Sequence, residues 1–274
     1  MLAIGNLELH VAHSCNLACE SCCHYSNHNH KGLIALDEAE RWMAPWRERL
    51  APGKFSLLGG EPAIHPRLPD FVPLARSFWP SAVLQLTSNG FLLARHPELP
   101  RALAEAGDTR LLISVHHGSE DYRRRFEPVA ALLESWVAEY GIRVHYLLSH
   151  EGWRRTYKGY GAAMEPFEDE RPRRSWRNCG SRYCPQIHEG AIWKCAPLAY
   201  LPMQDEKYGL SEKWAPYLAY RPLQPDCSDR ELRAFFRRKA EPSCAMCPAR
   251  PEPFALGLPF PARTASAEQV ALGD

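Results

Sequence analysis

No stretch of this 274-residue sequence stays apolar for the roughly 20 residues that crossing a bilayer requires. No excess of one charge is present either: 33 basic residues face 32 acidic ones, a formal net charge of +1. That balance excludes a general pull toward nucleic acid or an anionic membrane surface. Two local basic patches, Arg123-Arg124-Arg125 and Arg171–Arg177, have few aromatics among them and read as solvated faces. The N-terminus lacks a basic segment followed by an apolar one, so no secretory signal is expected and a reducing cytoplasm is the expected setting. Internal repeats are lacking as well. What the chain has in quantity is cysteine, ten residues of it. Without an export signal these read as reduced, metal-ligating thiols, not disulfides.

Three of the ten stand together. Cys15, Cys19 and Cys22 form C-x3-C-x2-C directly after Leu7–Ala12, a segment that alternates polar and apolar residues and reads as a strand. Three close thiolates can hold three corners of a [4Fe–4S] cube and leave the fourth iron open to a substrate or cofactor. A cluster that only transfers electrons needs a fourth protein ligand. The position is apt, because α/β folds place their chemistry at the C-terminal ends of strands. Zinc is the rival reading. It prefers paired C-x2-4-C spacings, which this segment lacks, although His24, His28 or His30 could complete a zinc sphere.

Strand-like and helix-like segments then alternate. A helix is expected over Asp37–Leu50, capped by Asp37, then a buried strand over Phe55–Leu58 and a helix over Leu68–Trp79 interrupted near Pro73. Further strands are expected at Ala82–Thr87, Thr109–His116 and Ile142–Leu148, and further helices at His96–Gly107 and Pro128–Tyr140. Such repeats of β and α predict a parallel sheet with right-handed crossovers, closed or flat. Residues 149–178 lose periodicity and read as a linker. The tail from Ala249 is rich in proline and reads as an extended strap or a partly disordered end.

Two more segments fall at strand ends. Gly59-Gly60-Glu61-Pro62 follows Phe55–Leu58, and Thr87-Ser88-Asn89-Gly90 follows Ala82–Leu86. With C-x3-C-x2-C they stand in the order, and at the strand ends, of the GGEP and T-x-N-G segments of the radical S-adenosylmethionine (SAM) superfamily, which the chain resembles over roughly residues 5–150. The resemblance implies an α/β fold: a partial (β/α)5-6 barrel over residues 1–150. It also implies a [4Fe–4S] cluster on Cys15, Cys19 and Cys22 whose open iron binds SAM. One electron then releases methionine, and a 5′-deoxyadenosyl radical abstracts a substrate hydrogen. In that setting Gly59 and Gly60 let the backbone approach SAM, and Glu61, beside Pro62, orients the region. Ser88 and Asn89 bond the ribose or carboxylate, with Ser114 and His116 as further contacts. Ser21 departs from the family, which usually carries an aromatic there against the adenine. Cys23 reads as a buried small residue.

The remaining cysteines lie beyond the linker. Cys179, then Gly190 and Cys195, then the C-x-x-C pair Cys244 and Cys247, resemble the twitch form of the SPASM-type auxiliary domain. Over residues 179–248 this implies a small cysteine-rich domain with a second, auxiliary [4Fe–4S] cluster on those four thiolates; a structural zinc site on the same four is the alternative. Cys184 competes with Cys179 as first ligand. Cys184 and Cys227 are otherwise spare, either inert or placed to return a hydrogen atom, since a thiol S–H is weak enough to quench a carbon radical.

The reading that follows is a radical SAM oxidoreductase or epimerase, acting on a small polar substrate of sugar or cyclitol type in a biosynthetic pathway. Its expected reductant is flavodoxin- or ferredoxin-like, with no nucleic acid or membrane partner. A peptide-modifying enzyme is the alternative, although the first strand begins almost at Met1 and leaves no room for an N-terminal peptide-recognition domain. A non-catalytic metal-binding or electron-transfer protein is a third, and it would have no use for the two strand-end segments.

Overall fold

The computed structural model describes residues 1–260. Its first half alternates β1 (Leu2–Ala12), α1 (Leu36–Met43), β2 (Leu50–Gly59), α2 (Leu68–Phe78), β3 (Val83–Ser88), α3 (Leu99–Glu105), β4 (Thr109–Val115), α4 (Glu120–Tyr140) and β5 (Val144–Leu148). The five strands pair in parallel in the order β5-β4-β3-β2-β1. The second half adds α5 (Pro172–Asn178), β6 (Gln186–His188), β7 (Ala191–Trp193), α6 (Ala196–Tyr208), α7 (Ala215–Leu218) and α8 (Asp229–Arg237). β6 joins the other edge of β1 in parallel at Glu8 and Leu9, and β7 returns antiparallel to it. The expected α/β fold with a mainly parallel sheet is what forms. The later cysteine segments extend that same sheet through β6 and β7.

The central position of β1 explains its sequence. From Leu7 to Ala12 every residue is buried, as in strands covered on both faces. Leu7, Leu9 and Val11 enter the main core with Phe55, Leu57, Leu84 and Ile113. Glu8 and His10, between them, face a polar interior and are equally inaccessible to solvent. Alternation here separates two buried faces rather than core from water. Truncating Leu9, fully buried, would cost about 2–5 kcal/mol.

Several boundaries move for identifiable reasons. α1 begins at Leu36, with Glu38 accepting from the Ala35 N–H at 3.4 Å while Asp37 pairs with Arg41 one turn on. α4 begins eight residues before Pro128, because the Ser119 hydroxyl caps it by accepting from Tyr122 N–H at 3.3 Å. Pro73 and Pro128 both lie on exposed faces, where carbonyls deprived of a donor can turn to water, so neither ends its helix. The β6–β7 turn places Glu189 and Gly190 both at positive φ, as a primed hairpin turn demands.

The stretch expected as a linker clamps the cysteine loop. Trp153 donates from its indole N–H to Glu20 O at 2.7 Å, and Thr156 N–H donates to Ser21 Oγ at 2.8 Å. The described part of the tail is extended and crosses the same loop. Ala18 N–H donates to Pro259 O at 2.6 Å, and Leu256 is buried with Leu17 and Cys19. The rest of the tail lies outside the described residues.

Candidate functional site

The C-terminal ends of β1 to β4 meet around one cavity. Cys15, Cys19, Cys22, Gly59, Gly60, Ser88, Asn89, Ser114 and His116 all line it, together with Cys23, His24 and Trp153. Three segments far apart in sequence thus converge as expected from their positions at strand ends. Glu61 and Pro62 are buried just behind this wall.

The contacts show how the wall is built. Gly60 N–H donates to Ala12 O at 2.8 Å, and Glu61 N–H to Ser14 O at 2.9 Å. A Cβ on Gly59 would lie 2.4 Å from Ala12 O, and one on Gly60 2.3 Å from Ser14 O. Both glycines are therefore required by the approach of the β2 end to the cysteine loop, a tighter constraint than the approach to a ligand anticipated from sequence. Glu61 is fully buried and spends its acceptors on the protein. Oε1 accepts from Ala63 N–H at 2.9 Å and Ser88 Oγ–H at 2.7 Å, and Oε2 accepts from Asn89 N–H at 2.7 Å. Burial raises its pKa to about 6, against the opposing pull of these three bonds. Glu61 is thus a clasp between the second and third motifs.

Asn89 completes the joint. Its amide donates to Asn16 Oδ1 at 2.7 Å and lies 3.8 Å from Cys15 Sγ, while its carbonyl oxygen accepts from Phe91 N–H. Ser114 Oγ–H donates to Ser88 O at 3.3 Å and lies 3.0 Å from His116 Nε2. The other nitrogen of His116 sits 3.5 Å from Cys19 Sγ. Burial lowers the His116 pKa to about 4, so the ring is neutral at physiological pH.

All ten cysteines are free. Burial is the main cause that pushes the Cys15, Cys19 and Cys22 thiols up, as expected of metal ligands that ionise only when an ion binds. Among the described residues no three His, Cys, Asp or Glu side chains lie close enough to hold a single metal ion. Thiolates on separate corners of a cube stand farther apart than thiolates on one zinc ion with bonds of about 2.3 Å. Three free thiols on one loop are a donor set that suits three corners of such a cube.

A second cavity, of about 350 Å³, shares Cys23 and Trp153 with the first and is lined also by Cys179, Cys247, Arg154, Thr156, Asn178 and Ser181. Cys195 and Cys244 do not line it. The Cys195 thiol is raised first by burial and then by Cys179, Cys247 and Cys244, and the Cys247 thiol first by burial and then by Cys179, Cys244 and Cys23. The four thiols named from sequence are therefore within electrostatic reach of one another. Ser175 on α5 donates to Cys247 O at 2.8 Å and Asn178 to Ala249 O at 2.7 Å, which ties the C-x-x-C loop to the helix preceding Cys179.

The spare thiols are elsewhere. Cys184 sits near Glu8 in a separate groove, and Cys227 lies 3.5 Å from an Arg49 guanidinium nitrogen near the N-terminal end of β2. Neither lines the cavity of the first thiol set. Cys23, read from sequence as a buried small residue, lines both cavities, and burial raises its pKa to about 11. Ser21 faces the second cavity, with positive φ, and holds residues 156–157, so the side chain before Cys22 does not line the first. Sequence also missed a histidine chain: His24 Nδ1 lies 3.2 Å from Gly59 O and 3.1 Å from His10 Nε2, and His10 Nδ1 lies 3.0 Å from His13 Nδ1. The inward position of His10 was legible from strand alternation; its partners, fixed by loop geometry, were not.

Residues 9–146, half of the chain, match the Radical SAM superfamily, and the chain belongs to that superfamily. Membership makes it an enzyme class that uses a [4Fe–4S] cluster and SAM. No curated protein matches the chain. Among solved structures it is similar to BtrN in complex with AdoMet and 2-DOIA, at 16% identity and TM-score 0.46, over 78% of this chain and 85% of that one. It is similar also to Streptococcus suis SuiB bound to S-adenosylmethionine, at 17% identity and TM-score 0.42, over 52% of this chain and 33% of SuiB. A third is anSMEcpe with bound AdoMet and Cp18Cys peptide, at 17% identity and TM-score 0.40, over 53% and 42%. The match to SuiB thus spans about a third of that chain's length. No helix among the described residues is long and apolar enough to cross a membrane.

Proposed function

We propose that this chain is a radical SAM enzyme that abstracts a hydrogen atom from a small polar substrate, of sugar or cyclitol type, and oxidises or epimerises the carbon. Cys15, Cys19 and Cys22 hold the first cluster, and Cys179, Cys195, Cys244 and Cys247 an auxiliary one. When bound, these groups supply reductive cleavage of SAM to a 5′-deoxyadenosyl radical and an acceptor for a second electron. The chain's own residues do the positioning. Glu61 fixes Ser88 and Asn89 at the cavity wall, and the Gly60–Ala12 and Glu61–Ser14 bonds lock the cysteine loop against β2. Trp153 and the tail at Leu256 and Pro259 shield the loop from water.

The observation that carries this reading is the shared wall. Removing a hydrogen atom leaves a substrate radical that still holds one electron too many for a carbonyl product. An acceptor one wall away suits a two-electron oxidation. The second cavity offers hydroxyl, amide and guanidinium groups from Thr156, Ser181, Asn178 and Arg154, which suit a hydroxylated substrate. Cys23 on that wall favours epimerisation as the second outcome. Its thiol would give a hydrogen atom to the radical's opposite face, and one electron from the enzyme's reductant with one proton from solvent would then restore the thiol.

The test is anaerobic reconstitution followed by dithionite and SAM, with a panel of aminocyclitols and sugars. Formation of 5′-deoxyadenosine that rises with one of them supports the reading. Cleavage of SAM that no polyol stimulates, but a peptide does, would move the enzyme to peptide chemistry.

A further inference from the structure

Away from both cavities, a groove of about 710 Å³ runs along the N-terminal half of β1, beside α8 and the start of β6. It lies about 20 Å along β1 from the first cysteine loop, six residues at roughly 3.3 Å each. Its lining holds six cationic side chains, Lys54, Arg182, Lys194, Arg237, Arg238 and Lys239, and no carboxylate. In a chain with a net charge of +1 this is a local concentration of one sign. Lys194 and Arg238 share the buried Glu241 at 3.4 and 3.8 Å. Among the described residues no acidic side chain pairs with Lys54, Arg182, Arg237 or Lys239.

The uncharged groups of the groove point the same way. Trp176 lines it, and its indole N–H is buried without an acceptor among the described residues. Tyr183 is 62% exposed, and the Arg182 guanidinium lies beside both rings, 5.7 Å from Trp176 and 5.2 Å from Tyr183, which meet edge to face at 5.9 Å. The floor is the edge of β1 over Ala3–Asn6, where β6 does not reach, since β6 pairs only at Glu8 and Leu9. Cations and an open strand edge together ask for a protein surface rich in carboxylates.

The wall says what kind of protein. Lys194 is the chain neighbour of Cys195. Glu241, which holds Lys194, accepts at its backbone carbonyl from Cys244 N–H at 3.0 Å. The groove therefore backs directly onto the second thiol set and not onto the first.

We propose that this groove is the docking face for an acidic electron-carrier protein of flavodoxin type, which exchanges electrons with the enzyme on the side of Cys195 and Cys244. The inference rests on the reading of those thiols as a cluster site. Each encounter moves a single electron: the second electron of the substrate oxidation leaves the enzyme for the carrier's neutral flavin semiquinone, which becomes the anionic hydroquinone with no proton transferred, and the enzyme is oxidised by one electron.

The experiment measures binding of an acidic flavodoxin to the purified full chain by its flavin fluorescence. Arg237→Glu/Lys239→Glu should raise the Kd at least about tenfold at low ionic strength, and added salt should weaken the wild type similarly. Arg123→Glu/Arg124→Glu changes the net charge equally on another face and should bind as the wild type does. Lys54→Glu, on a different element, gives a second reversal should the helix variant fail to fold, which its circular dichroism shows. Wild-type affinity in the groove variants overturns the proposal. So does equal loss in the Arg123/Arg124 variant, or binding of an extended glutamate-rich peptide in the groove while flavodoxin does not bind. Failure of the functional reading shows separately, as absence of 5′-deoxyadenosine from dithionite-reduced wild type.

Discussion

Cys15, Cys19 and Cys22 come from one short loop at the end of one strand, whereas Cys179, Cys195, Cys244 and Cys247 come from the end of α5, the end of the β6–β7 hairpin and a C-x-x-C turn after α8. The first set needs the rest of the chain only to be held still. Glu61, Gly59 and Gly60 do this by backbone-scale contacts that leave little tolerance. The second set needs the rest of the chain to exist at all. Its members meet through side-chain ties such as Ser175 to Cys247 and Asn178 to Ala249, and through the burial of Tyr25 and Met246 among them. A local motif is robust in position and sensitive in its support. A distributed one depends on every segment that delivers a ligand.

The largest effect should come from separating the two sets. Cys15→Ala/Cys19→Ala/Cys22→Ala should reduce SAM cleavage to background yet retain about half the iron and sulfide of the wild type, as expected when one of two four-iron clusters remains. Replacing the four later cysteines by alanine should do the reverse, keeping SAM cleavage and losing substrate oxidation. If the first variant retains no iron, the second set holds no cluster and the comparison fails.

Next is the clasp. Glu61→Ala leaves three buried donors without an acceptor, and should cost about 3 kcal/mol and lower the Tm by about 6–12 °C in calorimetry. An unchanged Tm would mean that the strand ends are held by other contacts. Gly60→Ala must displace Ser14 O from 2.3 Å and should cost about 2 kcal/mol, with loss of iron from the first set greater than loss from the second. Equal loss from both would show a general unfolding instead of a displaced loop.

The wall between the sets is tested more finely. Cys23→Ser should keep both iron contents and any oxidised product, and abolish solvent deuterium uptake at the substrate carbon, read by mass spectrometry. Uptake that persists removes the thiol from the mechanism. The smallest effects belong to Cys184→Ala and Cys227→Ala, which should leave product yield unchanged and stability within about 1 kcal/mol. Arg49 keeps its bonds to the Pro225 and Cys227 carbonyls without the thiol.

What could be read in advance follows the same division. The strands and most helices were legible, because burial pattern and capping residues lie within a few positions of the element they define. Helix starts at Leu36 and Glu120 were misplaced where a backbone cap or a preceding serine outweighed the more obvious Asp37 and Pro128. The residues of the first site were legible because each lies at a strand end. The reason for the two glycines was not, since it depends on how closely β2 passes Ala12 and Ser14. Cys184 and Cys227 looked available because a spare thiol carries no mark of where it points.

By itself the sequence determined the parallel β–α order, the three strand-end motifs and the thiols with the spacing for two sets, since all of these are written in residues near one another along the chain. Only the tertiary structure decided that Cys23 and Trp153 line both cavities, that Glu61 faces its neighbours rather than a ligand, and that residues 149–178 clamp the cysteine loop. The shared lining and the clamp depend on contacts between segments more than a hundred positions apart, and Glu61 on partners 27 and 28 positions on, which packing of the core sets and no local pattern records.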